Sequence, residues 1–195
     1  MVKTPVRPSS AGAITTFTKV NPHSIRQLTI NATVCHVIRG DRLLLKKATR
    51  GISAGKWDGP GGKIEPGETP AECVVREVRE ETSLSIADPF YHGKIEFFMN
   101  GGKNLDYLVH VFSARDFTGR ARSSDEGRVR WFKTQEVPYS RMWDDDRYWL
   151  PLLLNGVAFD ACFFYDKENR RVVDHDIRSR TGLYPEASRR DVARN

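Results

Sequence analysis

Cysteine is scarce in this chain. Among 195 residues only Cys35, Cys73 and Cys162 occur. They are isolated and odd in number, which excludes a disulfide framework and every common zinc or dithiol spacing. They read as small buried hydrophobes of a protein in a reducing, cytoplasmic compartment. Long apolar runs are absent as well. None approaches the roughly 18 residues that a membrane-spanning helix needs, so no membrane partner is expected. There is no internal repeat. Acidic residues are missing from 1–26, where Lys3, Arg7, Lys19 and Arg26 give +4. Residues 178–195 carry five Arg against Glu186 and Asp191, or +3. The formal net charge is +6, so the stretch between these ends holds −1. The basic character therefore belongs to the ends and not to a nucleic-acid-binding face. The first segment also lacks the apolar core of a secretory signal. It is acid-poor like an organellar transit peptide, but Pro5, Pro8 and Pro22 interrupt an amphipathic helix. Residues 1–26 and 179–195 are expected to be flexible basic tails around one domain at 27–178.

What is present is an ordinary soluble composition, 39% hydrophobic and 29% charged, long enough for a real core. Strands are expected at 28–38 and 42–46, joined by the Arg39-Gly40-Asp41 turn. Two more, near 91–99 and 105–113, are joined by Asn100-Gly101-Gly102-Lys103. Further strands are expected at 128–133, 158–165 and 170–174. A helix at 145–154 carries Trp149, Leu150, Leu153 and Leu154, with Pro151 expected to kink it.

The most informative stretch is GKIEPGETPAECVVREVREETSL at 62–84. Thr69 can cap a helix, Pro70 suits its first position, and Glu72 completes a capping box. Val74 and Val78, and likewise Ala71 and Val75, lie four apart and can form an apolar stripe. Glu77, Glu80 and Glu81 lie at i, i+3 and i+4 and share a face. Like charges at that spacing repel. A solvated acidic face is one explanation, but the preceding glycines and Glu-Pro-Gly-Glu turn favour a divalent cation. Oxygen donors point to Mg²⁺, with Mn²⁺ able to substitute.

Gly62, Glu68, Arg76, Glu77, Glu80 and Glu81 stand in the order G-x5-E-x7-R-E-x-x-E-E. Six specified types at fixed spacing arise by chance on the order of 10⁻⁷ per starting position. The pattern resembles the signature of Nudix hydrolases. That resemblance implies an α+β fold, an α/β/α sandwich with a mixed sheet. It implies that Gly62, Glu77, Glu80, Glu81 and Glu126 hold metal, with Glu80, Glu81 and Glu126 catalytic. Glu68 and Arg76 would lock the loop to the helix, and Lys63 would meet phosphate. Ser83 replaces the Gly usual before Leu84, at a helix end where a Cβ is strained by roughly 1 kcal/mol. Outside the box, GKWDGPGGK, SSDEGRVRWF and MWDDDRYWLPLLL resemble Nudix members that hydrolyse oxidised purine nucleoside triphosphates such as 8-oxo-dGTP. By position, Trp143 would stack on the base, Asp145 and Asp146 would bond its edge, and Thr33, Asp58 and Phe97 would complete the pocket. Asp58 stands where Asn is usual, which makes the pocket rich in acids and suited to a donor-rich base edge. A Lys usual ahead of the pocket is Ala48 here, with Lys46 and Lys47 displaced. The expected partner is thus a small nucleotide. ADP-ribose, dinucleoside polyphosphates or capped RNA are alternative substrates, and a silent Nudix-fold binding module is the alternative outside enzymes.

Overall fold

The computed structural model describes residues 29–125 and 127–180. In chain order the strands are β1 (Ile30–Arg39), β2 (Arg42–Ala48), β3 (Trp57–Asp58), β4 (Leu84–Ile86), β5 (Phe90–Phe98), β6 (Tyr107–Ala114), β7 (Phe117–Gly119), β8 (Gly127–Lys133), β9 (Ala158–Tyr165) and β10 (Val172–Arg180). Helix α1 (Pro70–Thr82) follows β3, and α2 (Asp146–Leu154) precedes β9. The main sheet runs β10-β9-β5-β6-β1-β2-β3, with β8 also paired to β2. It is mixed. The β1–β6 and β5–β9 pairs are parallel and the others antiparallel. β4 and β7 form a separate small ribbon.

Alternation along the strands builds a core on each face. Val34, Ile38, Leu43, Leu45 and Val111 pack with Trp149, Leu150 and Leu153 of α2. Cys35, Val37, Leu44 and Phe112 pack with Val74 and Val78 of α1. The sheet is therefore sandwiched between the two helices, as expected for an α+β chain with this signature.

Helix α1 begins as its sequence dictates. Thr69 Oγ1 accepts the Glu72 amide at 3.3 Å, and Glu72 Oε2 accepts the Thr69 amide at 2.8 Å. It ends at Ser83, whose φ of 61° is the left-handed conformation that Gly would adopt without strain. Only half of the expected stripe faces inward: Val74 and Val78 are buried, whereas Ala71 and Val75 are exposed. The buried face is completed by Cys73, Glu81 and Thr82, so a carboxylate takes part in the inner surface of this helix.

β10 departs most from expectation. It extends to Arg180, well beyond residue 174, and pairs Ser179 and Arg180 with Phe159 and Ala158. Ser179 and Arg180 thus belong to the sheet and not to a tail. β10 is an exposed edge strand, VVDHDIRSR, with too little apolar alternation to announce itself. No described helix is long and apolar enough to cross a membrane.

Candidate active site

The segment Gly59-Pro60-Gly61-Gly62-Lys63 lies along β1. The Pro60 and Gly62 carbonyls accept the Cys35 and Thr33 amides, both at 2.8 Å. The glycines permit close approach. A Cβ on Gly61 would stand 2.1 Å from the Thr33 carbonyl oxygen, and one on Gly62 would stand 2.3 Å from the Glu77 carboxylate. Arg76 ties this segment to α1. Its Nε and Nη2 donate to the two Glu68 oxygens at 2.8 and 2.9 Å, and Nη2 reaches the Lys63 carbonyl at 3.3 Å. The guanidinium holds the Glu68 carboxyl down to about 2. Nη1 donates to Glu77 at 2.8 Å and Glu80 at 3.2 Å.

The three box carboxylates differ in surroundings. Glu80 is exposed and Glu77 is half-buried. Glu81 is buried, and both its oxygens are engaged: Oε1 by the Lys46 ammonium and Oε2 by the Gly61 amide at 2.9 Å. Burial raises the Glu81 carboxyl to about 7 against the opposing pull of Lys46 and Gly61. Burial also raises Glu77, with Arg76 opposing. The expectation for the Gly62 carbonyl needs correction, because that carbonyl faces β1 and takes the Thr33 amide. In extended backbone successive residues turn their polar groups to opposite sides. Gly61, one residue before, turns its N–H away from β1 to Glu81. Lys63 is exposed beside them. Glu126 lies outside the described residues. Among those residues no three His, Cys, Asp or Glu side chains already converge on one point. The donor set nevertheless fits a hard divalent cation: oxygen donors only, on consecutive turns of one helix, with Glu77 and Glu81 beside the Gly61-Gly62 segment.

A cavity of about 270 Å³ opens next to this cluster. Thr33, Asp58, Phe97, Trp143, Asp145 and Asp146 all line it, together with Gly61, Gly62 and Lys63. Trp143 is fixed by its indole N–H on Ser53 Oγ at 3.0 Å, with the Lys56 ammonium 4.6 Å from its ring centre. Asp145 is buried and accepts from the Trp149 indole at 2.7 Å and from the Tyr165 hydroxyl. Asp146, also buried, accepts the Trp143 amide at 2.9 Å through Oδ2, and Asp58 accepts the Gly59 amide at 2.7 Å through Oδ1. Burial and then the Asp145 charge push Asp58 up to about 7. The same two causes, with the Asp58 charge added, raise Asp146 well above the usual carboxylate range. Asp145 is raised by burial, while Tyr165 and Trp149 favour its charged form. Asp145 thus accepts from two donors, within a coupled trio of carboxyls that burial raises together. Thr33 borders the cavity, but its hydroxyl is bonded to Cys73 Sγ at 3.3 Å on the α1 side. Asp144 turns outward, accepting the Val172 amide at 2.9 Å and pairing with Arg147.

The NUDIX domain family model matches residues 28–153. This chain is a Nudix hydrolase. An oxidized purine nucleoside triphosphate hydrolase of Danio rerio is 37% identical over 145 residues, covering 74% of this chain and 92% of that protein. The protein of the same name from Mus musculus is 37% identical over 137 residues, covering 70% and 87%. A mutator MutT protein from Bacillus halodurans shares the fold with a TM-score of 0.66 at 25% identity, over 76% of this chain and 97% of that one. Nudix hydrolases act on small nucleotide substrates and generally use divalent metal ions, so this chain is a pyrophosphohydrolase.

Several residues of this Nudix site escaped the sequence reading. Tyr165 and Trp149 hold Asp145, and Ser53 holds Trp143. Val34, Met99 and Val109 supply apolar wall. Period-2 alternation in 158–165 marks Tyr165 as inward-facing, but nothing local assigns its hydroxyl to Asp145. Lys46 is the largest omission. Of the two displaced lysines, Lys47 is exposed, whereas Lys46 is buried against Glu81.

Proposed function

We propose that this Nudix hydrolase converts 8-oxo-dGTP, or a closely related oxidised purine nucleoside triphosphate, to the monophosphate and pyrophosphate. One observation carries the reading: the cavity that gathers Trp143, Asp58, Asp145 and Asp146 also borders Gly61, Gly62 and Lys63 beside the carboxylate cluster. A base held in the cavity directs its phosphates toward that cluster. Guanine presents N1–H and a 2-amino group, and its 8-oxo form adds N7–H. That edge suits a cavity lined by the carboxyl groups of Asp58, Asp145 and Asp146. The kinship with oxidized purine nucleoside triphosphate hydrolases supports the same reading.

Trp143 stacks on the base. Asp145, Asp146 and Asp58 read its edge, and Phe97 closes the wall, while Thr33 shapes β1. Glu68 and Arg76 hold the loop on α1, and Lys63 meets phosphate. Glu77, Glu80, Glu81 and Glu126 are the side chains that would hold the metal. The ion is Mg²⁺, replaceable by Mn²⁺; when bound it supplies charge neutralisation at the phosphate oxygens. The attacking water gives its proton to a carboxylate of the Glu80, Glu81 and Glu126 set. The catalytic unit comprises residues 27–180. A panel of 8-oxo-dGTP, dGTP, 2-hydroxy-dATP, a dinucleoside polyphosphate and ADP-ribose tests the assignment. Highest kcat/KM for an oxidised purine triphosphate is expected, and preference for ADP-ribose or the dinucleotide overturns it.

A further inference from the structure

Lys46 occupies a position that the Nudix signature does not specify. It lies on β2, its side chain only 11% exposed, and shares a strand face with buried Ala48. The paired strand β8 leaves room for it at Gly127, where a Cβ would stand 2.8 Å from Lys46 Cγ. A buried ammonium is costly unless paired, and its partner here is Glu81, whose side chain is 3% exposed. Four carboxylates, those of Glu68, Glu77, Glu80 and Glu81, directly contact two cationic side chains, Arg76 and Lys46. The group carries −2, the charge that one divalent ion balances; without Lys46 it carries −3.

We propose that Lys46 is a tethered cation of the carboxylate cluster, contending with a divalent ion for Glu81 and thereby setting how tightly the cluster binds metal. A divalent ion that takes Glu81 Oε1 displaces the ammonium. Asp58 can receive it, because Asp58 is the residue paired with Lys46 across β2 and β3, and paired residues point to the same face. The inference rests on the assignment of Glu81 to the metal site and is independent of which nucleotide is cleaved.

The test uses the full chain without nucleotide, at pH 8. MnCl₂ is titrated in and free Mn²⁺ is followed by electron paramagnetic resonance. Lys46→Met is expected to bind Mn²⁺ at least about tenfold more tightly, the lower end of effects from groups that contact metal ligands. Lys46→Arg, which keeps the charge, is expected to stay near the wild type. Unchanged or weaker binding by folded Lys46→Met overturns the proposal. A second measurement needs no variant: amine labelling of the wild type, read by mass spectrometry with and without Mg²⁺. Lys46 labelling should rise several-fold on Mg²⁺ addition while that of exposed Lys47 stays constant. An unchanged Lys46 rate also overturns the proposal. If Glu81→Gln binds Mn²⁺ as the wild type does, the metal assignment itself has failed, a result distinct from failure at Lys46 alone.

Discussion

Replacing Asp58 by Asn tests the acid-rich pocket where this chain departs from the usual residue. The amide keeps the shape and still accepts the Gly59 N–H, which reaches Asp58 Oδ1 at 2.7 Å. Burial, then the charge of Asp145, push the Asp58 carboxyl from the usual 3.8 to about 7. The folded-state value lies above the unfolded one. Asp58 therefore costs nothing below pH 3.8, where both states are protonated; its cost grows as pH rises from 3.8 to about 7 and is constant above that. The whole shift corresponds to about 4 kcal/mol. Asp58 is partly open to the cavity, so screening by water leaves about 2 kcal/mol of it. In a chain of this size that is roughly 4–8 °C in Tm. Thermal melts from pH 4 to pH 8 should show Asp58→Asn above the wild type at pH 8 and the two converging at pH 4. The ratio of 8-oxo-dGTP to dGTP turnover should also lose its inflection near pH 7 in the variant. Melting curves that run parallel across the whole range refute the claim that Asp58 carries an excess acid.

Glu80→Gln and Glu81→Gln should each fold and lose at least about 10²-fold in kcat, the scale of removing one main electrostatic stabiliser. Near-wild-type turnover of both at saturating Mg²⁺ contradicts the site. Trp143→Ala should weaken every purine nucleotide by roughly 1–3 kcal/mol without changing their order, read from kcat/KM across the panel. His36 is fully buried against Trp149, and neither ring nitrogen has a hydrogen-bond partner among the described residues. Burial, aided by the charge of His92, lowers its pKa from 6.5 to about 3, so its neutral form supports the fold above pH 6.5 and stability is lost as pH falls from 6.5 toward 3. His36→Leu should remove that part of the acid sensitivity and gain about 1–3 kcal/mol through the loss of unsatisfied polar atoms. Acid-unfolding curves of equal slope for the two proteins would falsify this.

The parts legible in sequence were those set by local chemistry. Thr69, Pro70 and Glu72 announce the start of α1, and the box spacing places Glu68 against Arg76 with no knowledge of the sheet. The strained Ser83 follows equally from its position at the helix end. What escaped depends on pairing between distant segments. The direction of the Gly62 carbonyl is decided by its neighbour β1, and the Thr33 hydroxyl by the proximity of Cys73, 40 residues away. Asp145 looks like a free base-reading acid until Tyr165, 20 residues on, is brought to it by β9. Lys46 reads only as a lysine displaced, with Lys47, from the position ahead of the pocket, because strand alternation does not reveal a carboxylate waiting on a helix. β10 went unread beyond residue 174 because an edge strand exposed on both sides needs no apolar pattern.

The central claim is that this Nudix hydrolase selects an oxidised purine and splits its triphosphate into monophosphate and pyrophosphate. The most direct measurement is a single competition reaction at saturating Mg²⁺ with equal 8-oxo-dGTP and dGTP, all products separated and quantified. The account predicts at least about tenfold faster consumption of 8-oxo-dGTP, the scale of one added hydrogen bond of roughly 1.4 kcal/mol, with 8-oxo-dGMP and pyrophosphate in equal amounts. Equal consumption of the two nucleotides, or release of inorganic phosphate with a diphosphate product, would contradict it.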